Sequence, residues 1–128
     1  MKKIKTLLAL IMLLVTTGPI WGQITVSAPL TVNVISQSAD EATITVVCVY
    51  SNGQQDAELR TIPIYRKVPG NYHGSGSTVF SIVTNSTNFY LTNIILVIST
   101  DDGEYTTLTY NNFVSNVSVD FRSKNGLN

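Results

Sequence analysis

From Ile24 onward, apolar and polar residues alternate over short runs, and turn-forming residues separate the runs. A period of two is what a strand with one buried side shows, because successive side chains leave the pleat in opposite directions. No run carries the 3.6-residue period with capping residues that a helix would need. The clearest strand is Ala42 to Tyr50, where Ile44, Val46 and Cys48 share one side and Thr43 and Thr45 the other, so the alternation turns Cys48 inward. Before it, Ile24 to Ser27 reads as a short strand, Pro29 as a break at a sheet edge, Leu30 to Ile35 as the continuation and Ser36 to Glu41 as a polar turn. After it come a loop from Ser51 to Asp56 centred on Asn52-Gly53, an extended run from Leu59 to Gly70 and a flexible connection from Asn71 to Ser77. Thr78 to Thr84 predicts a strand with Val79, Ser81 and Val83 opposed to Phe80 and Ile82. Asn85 to Thr87 is a turn, and Phe89 to Ile98 is so uniformly apolar that period two does not fix its inward side. Glu104 to Tyr110 and Phe113 to Phe121 are the last two strands, joined by a turn at Asn111-Asn112. Many short strands between regular turns predict an all-β sandwich or barrel. The expected core is aliphatic: Ile44, Val46, Ile62, Ile64, Ile94, Val97, Val117 and Val119.

The first residues change the picture of where the chain goes. Lys2, Lys3 and Lys5 precede an apolar run from Leu7 to Val15, then Thr16-Thr17-Gly18-Pro19 and a small residue at Gly22. That order is a secretory signal peptide over residues 1–22, with too short an apolar run to span a bilayer. Residues 23–128 then form one domain of roughly 105 residues, secreted or on the outer side of the plasma membrane, alone or as part of a longer receptor. Three of the eight basic residues fall in the leader, leaving five against eight acidic ones, a net charge of about −3. With no dense basic patch, nucleic acid is not an expected partner. Cys48 is the only cysteine, so no internal disulfide is available to a chain that would otherwise use one.

Three anchors occur in order along the strands. They are Cys48 in an alternating strand, Ile64-Tyr65-Arg66-Lys67-Val68-Pro69-Gly70, and Asp101-Asp102-Gly103-Glu104-Tyr105-Thr106-Thr107. Together they resemble variable-type immunoglobulin-like domains, whose strand C carries Trp-Tyr-Arg-x-x-Pro-Gly and whose strand F is entered through Asp-x-Gly-x-Tyr-x-Cys. The resemblance covers Leu30 to Phe121. It implies a Greek-key sandwich in which Asp101, Gly103 and Tyr105 form the corner before strand F, with the Tyr105 ring buried and its hydroxyl on backbone. It also implies that Cys48 faces Thr107 across the core, with Ile64 in the place of the family's Trp. The chain departs from the family by lacking the second Cys and the Trp, as do divergent domains similar to invertebrate allorecognition receptors. Taken alone, the heptapeptide from Asp101 reads equally well as an ordinary hairpin turn.

The chemistry of the side chains narrows the function. His73 is the only histidine, in a Gly/Ser-rich loop, and no nucleophile with a base, phosphate-cradling loop or hydrolase-like carboxylate pair is spaced for catalysis. No enzyme activity, cofactor or metal is expected. What the resemblance implies instead is an extracellular binding module for protein recognition or cell adhesion, homophilic or toward another surface protein. Its candidate contacts are Tyr65, Lys67, Tyr72, His73, Tyr110, Asn111 and Asn112, residue types that give contact area and adaptable hydrogen bonds at low entropic cost. Asn85 and Asn116 begin glycosylation sequons. The alternative is a calcium- or small-ligand-binding domain of the βγ-crystallin type, on the similarity of Asn111-Asn112-Phe113-Val114-Ser115-Asn116 to that family's calcium motif.

Overall fold

The computed structural model describes residues 24–66 and 73–122. The expected signal peptide, residues 1–22, and the candidate contacts Lys67 and Tyr72 lie outside the described residues. Seven strands follow one another: β1 (Thr25–Ser36), β2 (Glu41–Tyr50), β3 (Gln55–Pro63), β4 (Gly74–Ser86), β5 (Leu91–Thr100), β6 (Tyr105–Tyr110) and β7 (Asn116–Asp120). They form an all-β sandwich of two sheets, ordered β4-β1-β7 and β3-β2-β5-β6. All neighbours are antiparallel except β1 and β7, which run parallel with Thr31 opposite Asn116 and Ile35 opposite Asp120.

Alternation builds the core as the sequence requires. Leu30, Val32 and Val34 of β1, Ile44, Val46 and Cys48 of β2, Phe80 and Ile82 of β4, and Ile94, Leu96 and Ile98 of β5 all point between the sheets and are buried. Each fully buried branched or aromatic side chain contributes about 1.5–3 kcal/mol, and this packing stands where a disulfide would otherwise serve; Cys48 is a free thiol. Val97 is not part of it. Its neighbours Leu96 and Ile98 take the inward positions, and Val97 lies half-buried on the opposite side of β5.

Pro29 does not break the first strand: β1 runs through it, with Pro29 opposite Ser81 of β4 and an irregularity earlier, between Val26 and Ser27. The reason lies in direction. The amide of Thr31 donates to the Ser115 carbonyl on the β7 side at 2.9 Å, so the missing N–H of Pro29, two residues earlier, also falls on that side. There β1 has passed the end of its pairing with β7, and an edge position tolerates proline.

The immunoglobulin-type anchors are laid out differently from the expectation. The stretch from Asp101 is a hairpin turn joining β5 to β6 within one sheet, closed by Thr100 N–H to Glu104 C=O at 2.9 Å. Gly103 supplies the left-handed backbone, φ +96°, that the turn demands. Tyr105 is 58% exposed, and its hydroxyl accepts from the Thr107 hydroxyl at 3.2 Å instead of reaching backbone. Thr107 is exposed as well, opposite Val97 on β5. Cys48 therefore does not face Thr107. It lies opposite Ile94 on β5 and Asp56 on β3, in the same sheet as β6. The phase of β6 is set by Leu108 and Tyr110, which turn toward the core and leave residues 105, 107 and 109 outside. Ile64 is buried, just past the end of β3, where the chain crosses to the other sheet.

Candidate binding face

The outward side of the four-stranded sheet can be written down from its register. Thr43, Thr45, Val47 and Val49 of β2 lie opposite Thr61, Leu59, Ala57 and Gln55 of β3. On their other flank the same four residues meet Ser99, Val97, Ile95 and Asn93 of β5. Tyr105, Thr107 and Thr109 of β6 complete the rows beside Ser99, Val97 and Ile95. The result is a pleated surface of threonines around a half-exposed aliphatic centre of Val47, Val49, Ile95 and Val97. Glu41, the first residue of β2, is the one charged side chain of these four strands on that side. A broad neutral sheet surface with exposed Leu59 and Tyr105 is unusual for a surface that meets only water.

The charges of the sheet are turned inward instead, on β3. Asp56, Glu58 and Arg60 alternate with the outward residues and look toward the β4 edge of the other sheet. Arg60 donates to Glu58 at 2.6 Å, to the Thr78 hydroxyl at 3.1 Å and to the Val79 carbonyl, and its guanidinium lies 4.6 Å from the centre of the Phe80 ring. One arginine thus joins the two sheets and satisfies the groups it covers. Asp56 is less well served, since its Oδ1 has no partner among the described residues. Burial, and then the neighbouring Glu58 charge, push its carboxyl above the usual range. The same burial pushes the Cys48 thiol up to about 12 and raises the Tyr50 phenol, so neither ionises near neutral pH. Tyr50 packs edge-on against Phe89, with ring centres 4.8 Å apart.

The β5–β6 turn is bound to the loop between β1 and β2. The Asp101 carboxylate accepts from the amides of Asp40 at 2.9 Å and Glu41 at 3.2 Å. Asp102 accepts from the Ser38 and Thr100 hydroxyls, which hold its carboxyl below the usual range. Buried Ser36 donates to Glu104 at 2.5 Å and accepts from the Ala39 amide at 3.1 Å. These carboxylates are occupied in tying two loops together, and among the described residues no group of three His, Cys, Asp or Glu side chains is arranged to hold a metal ion.

The structure does not gather the contacts expected from sequence onto one surface. Tyr65 is 67% exposed but lies on the crossing between the sheets, bridged to Ser75 and bordering an open groove with Asn33 and Ser77. Tyr110 turns inward and packs against the core. Asn111 and Asn112 are exposed beyond the end of β6, where the Asn111 side-chain carbonyl accepts from Asn93 at 3.0 Å. His73 is half-buried just before β4. Asn85, near the end of β4, and Asn116, at the start of β7, are both exposed, and the Asn116 side-chain Oδ1 accepts from the Asn33 side-chain amide at 3.1 Å. The neutral face was missed because its residues look ordinary one at a time. Its signal in the sequence is that 42–50, 91–100 and 105–110 contain no charged residue at all. No family model matches the chain, and neither the curated proteins nor the solved structures include one significantly similar to it.

Proposed function

We propose that this protein is an extracellular recognition module that binds another protein surface through the outward side of the β3-β2-β5-β6 sheet. One observation carries the reading: a four-stranded surface centred on Val47, Val49, Ile95 and Val97, rimmed by threonine and tyrosine and free of charge except at Glu41. Depletion of charge at the centre with an aromatic near the rim is the composition of a protein contact. The signal-peptide pattern of residues 1–22 supports an extracellular setting, in adhesion or self/non-self recognition.

The test is capture on beads displaying the protein at high density, by its own copies or by cells of the same source. Val47→Lys and Ile95→Lys each place a charge in the middle of the contact and should reduce capture at least about tenfold. Ser77→Lys, on the outward side of the other sheet, should leave it unchanged. Capture that survives both central lysines rules out this face.

A further inference from the structure

We infer that β6 is a docking edge for a second copy of this chain, the two β6 strands pairing antiparallel across a two-fold axis at Thr107. The inference deepens the recognition reading by naming a partner and an edge, and it rests on that reading only for its biological setting.

Each sheet has two edges, and three of the four are obstructed. β3 carries inward-turned Asp56, Glu58 and Arg60 and ends in Pro63, devices that discourage strand addition. β4 has its Val79 carbonyl taken by Arg60, and its start is covered by the crossing chain, where a Cβ on Gly76 would lie 2.3 Å from the Pro63 oxygen. β7 is five residues long and carries Asp120, paired with Arg122. β6, Tyr-Thr-Thr-Leu-Thr-Tyr, has no charge, no proline and no bulge.

The free groups of β6 select one register. The bond from Thr100 N–H to Glu104 C=O fixes which residues pair with β5, and antiparallel alternation then gives residues 106, 108 and 110 to β5. The N–H and C=O of Tyr105, Thr107 and Thr109 point away from the sheet. With Thr107 opposite Thr107 of the second copy and Tyr105 opposite its Thr109, all three residues of each strand find partners, making six hydrogen bonds. The same register keeps outward side chains opposite outward ones, so the neutral face continues across eight strands. It sets the acidic turn Asp101-Asp102-Gly103-Glu104 beside the second copy's Asn111 and Asn112, whereas parallel pairing would set acid against acid. Such an edge buries well under the roughly 1,600 Å² of a standard interface. A weak dimer is expected in solution, reinforced where many copies share a surface.

Sedimentation equilibrium of the purified protein from about 10 µM to about 1 mM should show a reversible dimer. Thr107→Lys sets two ammonium groups against each other and should weaken the dimer at least about tenfold. Thr107→Pro removes an amide the β5 ladder does not use, and should do the same. Thr107→Cys should form a disulfide-linked dimer under mild oxidation, because residues paired in this way have Cα atoms about 5.5 Å apart. Thr109→Cys, displaced from its own symmetry mate, should not, and Cys48 is buried in both variants. A protein that stays monomeric throughout, or a dimer indifferent to Thr107→Lys and Thr107→Pro, overturns the inference. A dimer lost with Val47→Lys or Ile95→Lys but kept by the Thr107 variants also overturns it, while leaving the face as the binding surface. Loss of bead capture with an intact Thr107-dependent dimer would separate the two in the other direction.

Discussion

The two long flanks of the sandwich are each made of one edge strand from either sheet, and they are finished in opposite ways. On the β3/β4 flank, Arg60 reaches across to Thr78 and the Val79 carbonyl while covering Phe80. On the β6/β7 flank the inward residues Leu108, Tyr110 and Val119 are only partly buried, and the outer rim is threonine and tyrosine. The first flank closes with charged groups, which costs desolvation; the Arg60–Glu58 pair offsets that cost, while Asp56 leaves one oxygen without a partner among the described residues. The second avoids that cost and leaves backbone groups free. One flank is closed by its own side chains, while the other keeps an edge strand, β6, that pairs with β5 on one side only.

Substitutions can break this contrast. Phe80→Ala, at a fully buried ring under Arg60, should cost about 3–5 kcal/mol in urea unfolding. A loss below about 1 kcal/mol would mean that the β3/β4 flank does not anchor the core. Arg60→Met keeps the aliphatic stem but gives up the bonds to Glu58, Thr78 and Val79, and about 2 kcal/mol should follow from the lost charged hydrogen bonds and ring contact. If stability is instead unchanged, packing alone closes that flank.

Asp56→Asn acts in the other direction. Its folded-state carboxyl is raised by burial and by Glu58, so its contribution to stability is greatest below the ordinary carboxylate range near 4. That contribution falls as pH rises through the raised value. The amide should therefore raise the melting temperature at pH 7 and make little difference at pH 4, a gain under about 1 kcal/mol because the group remains half-solvated. A gain equal at both pH values would assign the effect to something other than the charge. The smallest effect is expected at Tyr105→Ala, within about 0.5 kcal/mol for an exposed residue. A cost approaching that of Phe80→Ala would place the ring in the core after all and remove the contrast between the flanks.

How far the sequence could be read follows from where period two is clean. In Ala42 to Val46 polar and apolar positions alternate, and carrying that phase two residues on made the inward placement of Ile44, Val46 and Cys48 legible. In Phe89 to Ile98 nearly every residue is apolar, and only pairing with β2 and β6 chose Leu96 over Val97. The turn residues Asp101 and Gly103 were visible as a turn, but which strands it joined was not. A hairpin and a crossing between sheets ask the same of a local peptide, and hydrogen-bonding to a distant strand decides between them.

The all-β class, the turns at 51–54 and 101–104 and most of the inward residues could be read from the sequence, because these depend on contacts within a few residues and on the two-fold alternation of the strand, whereas the expected connection at 71–77 is strand β4 from Gly74 on. Tertiary structure alone decided the partners: that Cys48 meets Ile94 and Asp56 instead of Thr107, that Tyr105 faces water, and that Thr43, Val47, Ile95, Val97 and Thr107 share one neutral surface. Such neighbours are brought together by register between strands far apart in the chain. Register is selected by the whole core at once, since a slip of one residue would exchange every buried side chain for an exposed one.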